Sequence, residues 1–182
     1  MNKNIKVLIT DTNGFIAKNL LAHFRELGDF EVICFSHQTP EQDLFKLVVD
    51  LDAVVHLAGV NRPQLPSEFI SGNVDLTKTL CQALIHNKRN IPIIFSSSTQ
   101  AELNNPYGKS KRDTEIILRQ YAKDIGACVY IYRLPNVFGK WSNPNYNSVV
   151  ATFCHNISHD LPISINDENS IINLVYIDDL CT

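Results

Sequence analysis

The sequence has no long apolar run, since nothing in its 182 residues approaches the ~18 to 20 apolar residues that cross a bilayer. The N-terminal stretch MNKNIKVLIT leads from two lysines into a short apolar segment, which is not the pattern of a signal peptide. An excess of positive charge is also absent, because the formal net charge is -3. These absences argue against a membrane or a nucleic acid as partner and predict a cytoplasmic protein.

The five cysteines are odd in number, widely spread and without a C-x-x-C pair. This spacing argues against a disulfide framework and against a structural zinc site. His155 and His159 are one helical turn apart, a spacing that can bind metal, but no Cys, Asp or Glu pattern completes a site. We therefore predict a reducing compartment and no bound metal.

Short apolar, β-branched runs alternate along the chain with segments of helical periodicity. The runs are nearly continuous in hydrophobicity, which is typical of parallel strands covered on both faces. Such alternation predicts an α/β fold, a doubly wound parallel sheet (Rossmann fold), whose ligands bind at the carboxyl ends of the strands. The predicted strands are IKVLIT at 5–10, FEVICFS at 30–36, AVVHLAG at 53–59, IPIIFSSS at 91–98 and CVYIYRL at 128–134.

Apolar stripes predict the helices between these strands. The expected buried positions are Ile16, Leu20, Phe24 and Leu27 in the first helix, Ile70, Val74, Thr77, Cys81 and Leu84 in the second, and Ile116, Ile117 and Tyr121 in a third that covers 107–123. Beyond Leu134 the sequence loosens into a polar, aromatic-rich loop. A helix at 147–159, short strands at 162–165 and 172–176, and a helix that begins near Asp178 or Asp179 complete the prediction.

The strongest chemical signal is NNPYGKSK, in which Tyr107 and Lys111 are four residues apart at the start of a predicted helix and so share one face. The preceding strand ends in FSSS, which places the Ser98 hydroxyl at the carboxyl edge of the sheet. A lysine ammonium in that position lowers the pKa of a tyrosine from about 10 toward neutrality. The phenol then exchanges a proton with a sugar or steroid oxygen that Ser98 holds by a hydrogen bond. The alternative interpretation is a surface tyrosine beside a solvated lysine.

These residues, together with GFIAKNL, VVHLAGVNRP, YRLPNVFGKW and VYIDDL, resemble in order the extended short-chain dehydrogenase/reductase family that acts on nucleotide sugars, the NAD-dependent epimerase/dehydratase family. The similarity is greatest to the NADPH-dependent UDP-2-acetamido-2,6-dideoxy-hexulose reductases of capsule and O-antigen synthesis, on HLAGVNRP, NPYGKSK, RLPNVFGKW and PNYNSVVATFC. The resemblance implies that Tyr107 donates the proton, that Lys111 also binds the nicotinamide ribose and that Ser98 orients the carbonyl. It further implies a cofactor wall at Leu57, Ala58 and Gly59, and a UDP-sugar site at Arg62, Asn136 and Asn147.

The family pattern G-x-x-G-x-x-G falls on Asp11, Gly14 and Ala17, in the turn TDTNGF and the helix after it. Gly14 lets the backbone approach the pyrophosphate, and Phe15 and Ile16 follow it as further cofactor-binding residues. Asp11 is the departure, because it brings a carboxylate close to two negative phosphates. Like charges a few ångströms apart in a partly desolvated cleft cost about 1 to 4 kcal/mol, or roughly tenfold to a thousandfold in affinity. The carboxylate can also turn away and accept backbone N–H groups of the loop.

The second strand ends in CFSHQT, without an Asp or Glu for the adenosine ribose hydroxyls, while Ser36 and His37 can tolerate or bond a 2′-phosphate. This favours NADP(H) over NAD(H) as the cofactor and leaves NAD(H) open. Thr99 and Gln100 follow Ser98 at the point where a nucleotide-sugar 4,6-dehydratase needs an acid. Dehydration is therefore disfavoured.

The ending VYIDDLCT is abrupt, and the reductases that the chain resembles continue into the rest of a substrate-binding part and a C-terminal cupin domain. We therefore expect a truncated chain, with one dinucleotide-binding domain over 1–182 in which about 135–182 begins an incomplete substrate-binding part. The expected function is NADPH-dependent reduction of the C4 keto group of a UDP-4-keto-6-deoxy-HexNAc. Two alternatives stay open, a non-catalytic or disabled remnant of the family and an NAD-retaining nucleotide-sugar 4-epimerase. We consider a homodimer as the assembly of this chain.

Overall fold

The computed structural model of the chain describes residues 4–165 and 167–182. Its main sheet contains five strands in the order β2-β1-β3-β4-β5, and every neighbouring pair is parallel. The predicted doubly wound sheet is confirmed, and the largest difference in strand ends is in β3, which stops at His56 rather than at Gly59. The strands are β1 Ile5–Thr10, β2 Phe30–Phe35, β3 Ala53–His56, β4 Ile93–Ser98 and β5 Val129–Leu134.

Helices connect these strands and continue beyond them. A 3-10 turn at Glu41–Asp43 precedes α2, a π-helical segment at Ile70–Asp75 leads into α3, and a 3-10 turn at Thr99–Glu102 precedes α4. A separate pair of short parallel strands, β6 Asn136–Phe138 and β7 Leu174–Tyr176, lies outside the main sheet. The helices are α1 Phe15–Leu27, α2 Leu44–Leu47, α3 Leu76–His86, α4 Pro106–Ile125, α5 Val149–Ser158 and α6 Ile177–Cys181.

The core lies on both faces of the sheet because successive side chains of a strand point to opposite sides. In β1, Leu8 packs into the cluster under α2, α3 and α4, which also contains Phe95 and Leu118. Its neighbours Val7 and Ile9 face the other way and pack against α1. The sheet is therefore covered by helices on both sides, as the nearly continuous apolar strands predicted.

The helix that carries Tyr107 and Lys111 has strong sequence signals at both ends. The Asn105 side chain accepts a hydrogen bond from the Gly108 amide at 2.7 Å, and Pro106 occupies the first helical position, where its missing N–H costs nothing. At the other end Gly126 adopts φ 74°, a left-handed conformation that glycine adopts without strain. These signals set the start of α4 beside β4.

Several sequence predictions are wrong in detail. No strand forms at 162–165, where Leu161, Ile163 and Ile165 alternate like a strand but are 47%, 42% and 62% exposed. The polar loop after Leu134 contains β6, which the sequence did not predict because its pairing partner β7 is distant in sequence. The later predicted strand is found as β7, and α6 begins at Ile177 as the acidic residues indicated.

Three residues predicted to be buried on helices are exposed instead, which are Leu27, Ile70 and Ile116. The buried side of α4 instead carries polar residues, Lys111 and Glu115 among them. One face of β5 is also open, because Tyr130 and Tyr132 are exposed in the part of the chain described.

Candidate active site

The candidate site lies where the strand order reverses, between β1 and β3. Thr10 at the end of β1 pairs in register with His56 at the end of β3. A crevice outside the carboxyl ends of two such strands is where ligands bind in doubly wound sheets. The turn after β1, the segment after β3 and the end of β4 all open onto this edge.

Lys111 and Tyr107 are brought together with Ser98 at this edge. Lys111 is only 4% exposed, and its Nζ donates a hydrogen bond to the Ser96 carbonyl oxygen at 2.9 Å. The same Nζ lies 5.9 Å from the centroid of the Tyr107 ring and 4.9 Å from that of Phe95. The Ser98 hydroxyl at the end of β4 is near enough to Tyr107 to act on the pKa of its phenol. The surface tyrosine beside a solvated lysine, which was the alternative interpretation, does not describe this geometry.

Burial controls the protonation of both residues. It lowers the pKa of Lys111 to about 8, against the opposing negative charges of Asp11 and Glu115. It raises the pKa of Tyr107, and the Ser98 hydroxyl opposes that rise only in part. The expected lowering of the tyrosine pKa is therefore wrong for this structure, because desolvation of the phenolate is the larger effect. Tyr107 is a protonated phenol at neutral pH, ready to donate rather than to accept a proton.

Glu115, one turn after Lys111, is a site residue that the sequence analysis missed. Its carboxylate accepts hydrogen bonds from Ser97 Oγ at 2.5 Å and from Arg133 Nε and Nη2 at 2.9 and 2.7 Å. Burial acts to raise the pKa of Glu115, but the hydrogen bonds from Arg133 and Ser97 and the arginine charge leave it below its usual value. The available signal was an acid four residues after the lysine, facing a run of serines.

A buried hydrogen-bond chain joins β1 and β3 behind the site. Thr10 Oγ1 accepts from the amides of Leu57 and Ala58, so its own proton goes to His56 Nδ1, 2.9 Å away. His56 Nε2 then donates to Thr77 Oγ1 at 2.9 Å. Burial, with the nearby charge of Lys111, lowers the pKa of His56 to about 3, so the ring is neutral. His56 is a satisfied structural histidine of this edge.

Asn73, in the π-helical segment, was also missed. Its amide nitrogen donates to the Val60 carbonyl at 3.0 Å and to Ser110 Oγ at 2.8 Å, while its oxygen accepts from the Val60 amide at 2.6 Å. Ser110 in turn donates to the Tyr107 carbonyl at 2.8 Å. The segment after β3 is thereby tied to the first turn of α4.

The turn after β1 holds the unexpected acid. Asp11 adopts φ 59°, the left-handed region that the first glycine of the pattern would occupy freely. Its carboxylate lies against Gly14, where a Cβ would collide with Oδ2. Burial raises the pKa of Asp11, against the opposing charges of His37, Lys111 and Lys18. The side chain has therefore not turned out to solvent but lies near His37, Lys111 and Lys18.

The residues around the turn fit a dinucleotide in shape. Gly14 caps α1 without a side chain, and Phe15 and Ile16 begin the helix, so its first N–H groups face the crevice. A Cβ at Gly59 would lie 2.9 Å from Lys111 Nζ and 3.2 Å from Asn73 Oδ1, so a side chain there would displace the lysine ammonium. The end of β2 carries half-buried Ser36 and exposed His37. Only the charge of Asp11 opposes a pyrophosphate here.

The predicted substrate residues lie on two separate segments. Arg62 is exposed, with its guanidinium carbon 5.3 Å from the centroid of the Tyr146 ring, and Tyr146 donates to Asn61 Oδ1 at 3.0 Å. Asn136 begins β6. Asn147 is exposed and directly precedes Ser148, the N-cap of α5. In the described chain no hydrogen bond or ion pair joins Arg62, Asn136 and Asn147 to one another.

Two features are absent from the described residues. No helix there has the length and apolar character that a membrane crossing requires. No group of three or more His, Cys, Asp or Glu side chains in 4–165 and 167–182 could hold a metal ion.

Comparison with known proteins gives three findings. A UDP-2-acetamido-2,6-beta-L-arabino-hexul-4-ose reductase of Pseudomonas aeruginosa is 54% identical over 176 residues, which is 97% of this chain and 47% of that protein. The crystal structure of the capsular polysaccharide assembling protein CapF from Staphylococcus aureus superimposes with a TM-score of 0.85 at 42% identity, over 97% of this chain and 47% of CapF. A UDP-glucuronic acid 4-epimerase from Bacillus cereus, in complex with NAD, shares the fold with a TM-score of 0.85 at 21% identity, over 97% and 72% of the two chains.

The chain thus spans about half the length of the curated relative that it matches. The model of the NAD dependent epimerase/dehydratase family matches residues 7–182, which include the turn after β1, the end of β4 and the start of α4. On this match, and on the parallel sheet with its buried lysine beside a tyrosine, the chain belongs to the NAD dependent epimerase/dehydratase family.

Proposed function

We propose that this chain carries the reductase site for the C4 keto group of a UDP-4-keto-6-deoxy-HexNAc, in the synthesis of a capsule or O-antigen sugar nucleotide. The observation that carries the proposal is the placement of buried Lys111, bonded to the Ser96 carbonyl, with its ammonium 5.9 Å from the centroid of the Tyr107 ring at the end of β4. The 54% identity to a UDP-2-acetamido-2,6-beta-L-arabino-hexul-4-ose reductase supports the choice of substrate class.

Ser98, Tyr107 and Lys111 each have one role in this reaction. Ser98 holds the C4 carbonyl oxygen by a hydrogen bond, and Tyr107 gives that oxygen its hydroxyl proton. When bound, the reduced nicotinamide cofactor supplies the hydride that reduces the C4 carbon. The charge of Lys111 stabilises the phenolate left on Tyr107, which then takes a proton from solvent. The raised pKa of Tyr107 keeps the proton donor loaded at neutral pH.

NADP(H) is the proposed cofactor, and NAD(H) is the alternative. The end of β2 offers Ser36 and His37 and no carboxylate, which suits a 2′-phosphate better than free ribose hydroxyls. Gly14, Phe15 and Ile16 would hold the pyrophosphate at the start of α1, and Leu57, Ala58 and Gly59 would line the nicotinamide side.

We further infer that residues from about 135 onward begin the part that binds the UDP-sugar, with Arg62, Asn136 and Asn147 facing it. Arg62 supports this inference because it stacks on Tyr146, and no carboxylate in the described residues forms an ion pair with it. An arginine held in place without a carboxylate suits a diphosphate. A homodimer remains the proposed assembly, in the cytoplasm.

The test supplies the purified chain with NADPH and UDP-2-acetamido-2,6-dideoxy-β-L-arabino-hexul-4-ose and follows the nicotinamide absorbance. Oxidation of NADPH with formation of a C4 alcohol supports the proposal, and its loss in Lys111→Met assigns it to this site. A chain that binds NADPH but leaves the sugar unreduced contradicts it. Copurified NAD with interconversion of C4 epimers would instead support the 4-epimerase.

The disabled-remnant alternative is favoured by one observation, the carboxylate of Asp11 lying against Gly14. Calorimetry with NADPH and NADH, on the unmodified chain and on Asp11→Gly, separates it from the reductase. Micromolar binding by the unmodified chain supports a working site. Binding only by Asp11→Gly supports the remnant.

A further inference from the structure

We propose that Glu115 is a positioning residue of this site, which holds Ser98 and Lys111 in register through a buried ion pair with Arg133. Glu115 touches neither substrate nor cofactor in this proposal. It acts through the end of β4 on one side and through the Lys111 ammonium on the other.

Helix α4 contacts three consecutive serines at the end of β4. Ser96 gives its carbonyl to Lys111 Nζ at 2.9 Å, and Ser97 gives its hydroxyl proton to Glu115 Oε1 at 2.5 Å. Ser98 lies near Tyr107 and acts to lower the pKa of its phenol. Because the three contacts follow one another along β4, a slip of α4 by one residue would break all of them.

The Glu115 carboxylate is the acceptor for both Ser97 and Arg133. The Glu115 side chain is 3% exposed, and Arg133 reaches it from β5 with a side chain that is 37% exposed. Removing one partner of such a pair leaves buried donors without an acceptor, which costs far more than the pair itself contributes. Ser97, 4% exposed, would lose the acceptor for its hydroxyl at the residue next to Ser98.

The charges around Lys111 act on the pKa of its ammonium. The groups that face its ammonium are Asp11 from the turn after β1, Tyr107 and Glu115 from α4, and His56 from β3, which is neutral. Burial brings the pKa of Lys111 to about 8, close to the working range, so each neighbouring charge affects how much ammonium is present.

Glu115 itself faces three cations. They are Arg133 across the sheet, Arg119 one turn along α4, and Lys111 one turn before it. Replacing Glu115 by glutamine removes a negative charge and leaves Arg133 unbalanced, so both changes disfavour a charged Lys111. Replacing Arg133 by glutamine does the reverse. The two substitutions at one ion pair therefore have opposite expected signs.

The experiment measures the titration of Lys111 by NMR in the full chain labelled with ¹³Cε-lysine, without cofactor. The Lys111 signal is assigned by its loss in Lys111→Arg. Glu115→Gln is expected to lower the midpoint by about 0.5 to 1. The matched control is Glu102→Gln, which removes the other carboxylate of the same arginine, 3.0 Å from Nη1 and 71% exposed, and is expected to leave the midpoint unchanged.

Equal midpoints in Glu115→Gln and Glu102→Gln overturn the proposal. Arg133→Gln provides the second arm and is expected to raise the midpoint, with Arg133→Lys as its control because the lysine keeps the positive charge. A loosened α4 would hydrate Lys111 and raise the midpoint in both variants. If Glu115→Gln does not fold, this second arm decides alone: a midpoint raised in Arg133→Gln but not in Arg133→Lys supports the proposal, and any other result overturns it.

The catalytic consequence rests on the proposed reductase function. Glu115→Gln should lower kcat for the keto sugar by about tenfold with KM for NADPH unchanged, since orientation and not binding is lost. It should also move the alkaline limb of the kcat profile to lower pH, because Lys111 loses its proton earlier. If the unmodified chain turns nothing over while the Lys111 midpoint still shifts, the proposed function fails and the role of Glu115 stands.

Discussion

The corner formed by β4 and α4 and the turn between β1 and α1 lie at the same edge of the sheet. The two regions differ in the hydrogen bonds that their buried carboxylates accept. In the corner, Glu115 is paired with Arg133 and Ser97, and Lys111 is held by a backbone carbonyl. In the turn, Asp11 lies against Gly14, and burial raises its pKa. A buried carboxylate with direct hydrogen-bond partners stabilises the geometry around it, whereas one that only more distant charges oppose resists both its own ionisation and an anionic ligand.

The largest expected effect removes the proton donor of the corner. Tyr107→Phe should lower kcat for the proposed reduction by about 10² to 10⁴-fold, because no other group gives the C4 oxygen its proton. The measurement is steady-state oxidation of NADPH with the keto sugar. Tyr132→Phe, at a residue of β5 that is 53% exposed, is the control and should behave as the unmodified chain. A loss below about threefold in Tyr107→Phe would mean that the corner is built for something other than general acid catalysis.

The next effect is in the turn. Asp11→Asn keeps the shape and tolerates φ 59°, so it should tighten NADPH binding by about tenfold to a thousandfold, measured by calorimetry at pH 7.5. Asp43→Asn, on a surface turn, is the control. Unchanged affinity would show that the Asp11 carboxylate is out of reach of the phosphates, and the contrast between the two regions would disappear.

The same substitution carries a pH signature. Burial raises the pKa of Asp11 above its ordinary value of 3.8, so ionisation opposes folding at neutral pH and the fold is favoured as pH falls. Asp11→Asn should therefore be more stable than the unmodified chain at neutral pH. That advantage should vanish below pH 3.8, where the carboxyl is protonated in both the folded and the unfolded chain. Urea unfolding across this range measures it, and an advantage that grows on acidification would contradict it.

The next prediction concerns side-chain packing in the corner formed by β4 and α4. A Cβ at Gly108 would collide with the Gln100 carbonyl oxygen and lie 2.9 Å from that of Leu103, so either α4 or the 3-10 turn has to move. Gly108→Ala should lower the free energy of unfolding by about 1 to 3 kcal/mol, measured with urea. Lys109→Ala, exposed and one residue further, should change it by less than about 0.5 kcal/mol. Equal values for the two would mean that the corner yields as easily as the surface.

The smallest expected effect concerns the end of β2, on the far side of the turn. His37→Ala should weaken NADPH binding by about fivefold and leave NADH binding unchanged, since one exposed hydrogen bond to a 2′-phosphate contributes about 1 kcal/mol. Calorimetry with both cofactors measures the ratio, and Gln38→Ala is the control. A parallel loss for NADPH and NADH would assign His37 to the field around Asp11 instead of to the phosphate.

The corner was predictable from the sequence in part. The spacing of Tyr107 and Lys111 on one helical face and the position of Ser98 at a strand end are local properties, and the structure brings the three together. The Glu115 pair with Arg133 was not predictable, because the two residues lie 18 apart in sequence and meet only through the pairing of β4 with β5. The same reason explains why β6 was missed, since its partner is β7.

For Asp11 the sequence raised a question that only packing could answer. Its identity and its place in the glycine pattern are visible in TDTNGF. The direction of the carboxylate depends on Gly14 and on His37, Lys111 and Lys18. At Tyr107 the sequence predicted a lowered pKa, but burial raises it and the Ser98 hydroxyl opposes that rise only in part.

The sequence by itself determined the order of the strands and helices, the caps of α4 and the residues able to do chemistry, because periodicity, turn propensity and side-chain type act over a few neighbouring residues. The tertiary structure alone decided which charges are paired, which protons stay in place and which acid faces the cofactor crevice. These depend on dielectric and on contacts between segments far apart in the chain, and neither exists until the sheet has formed.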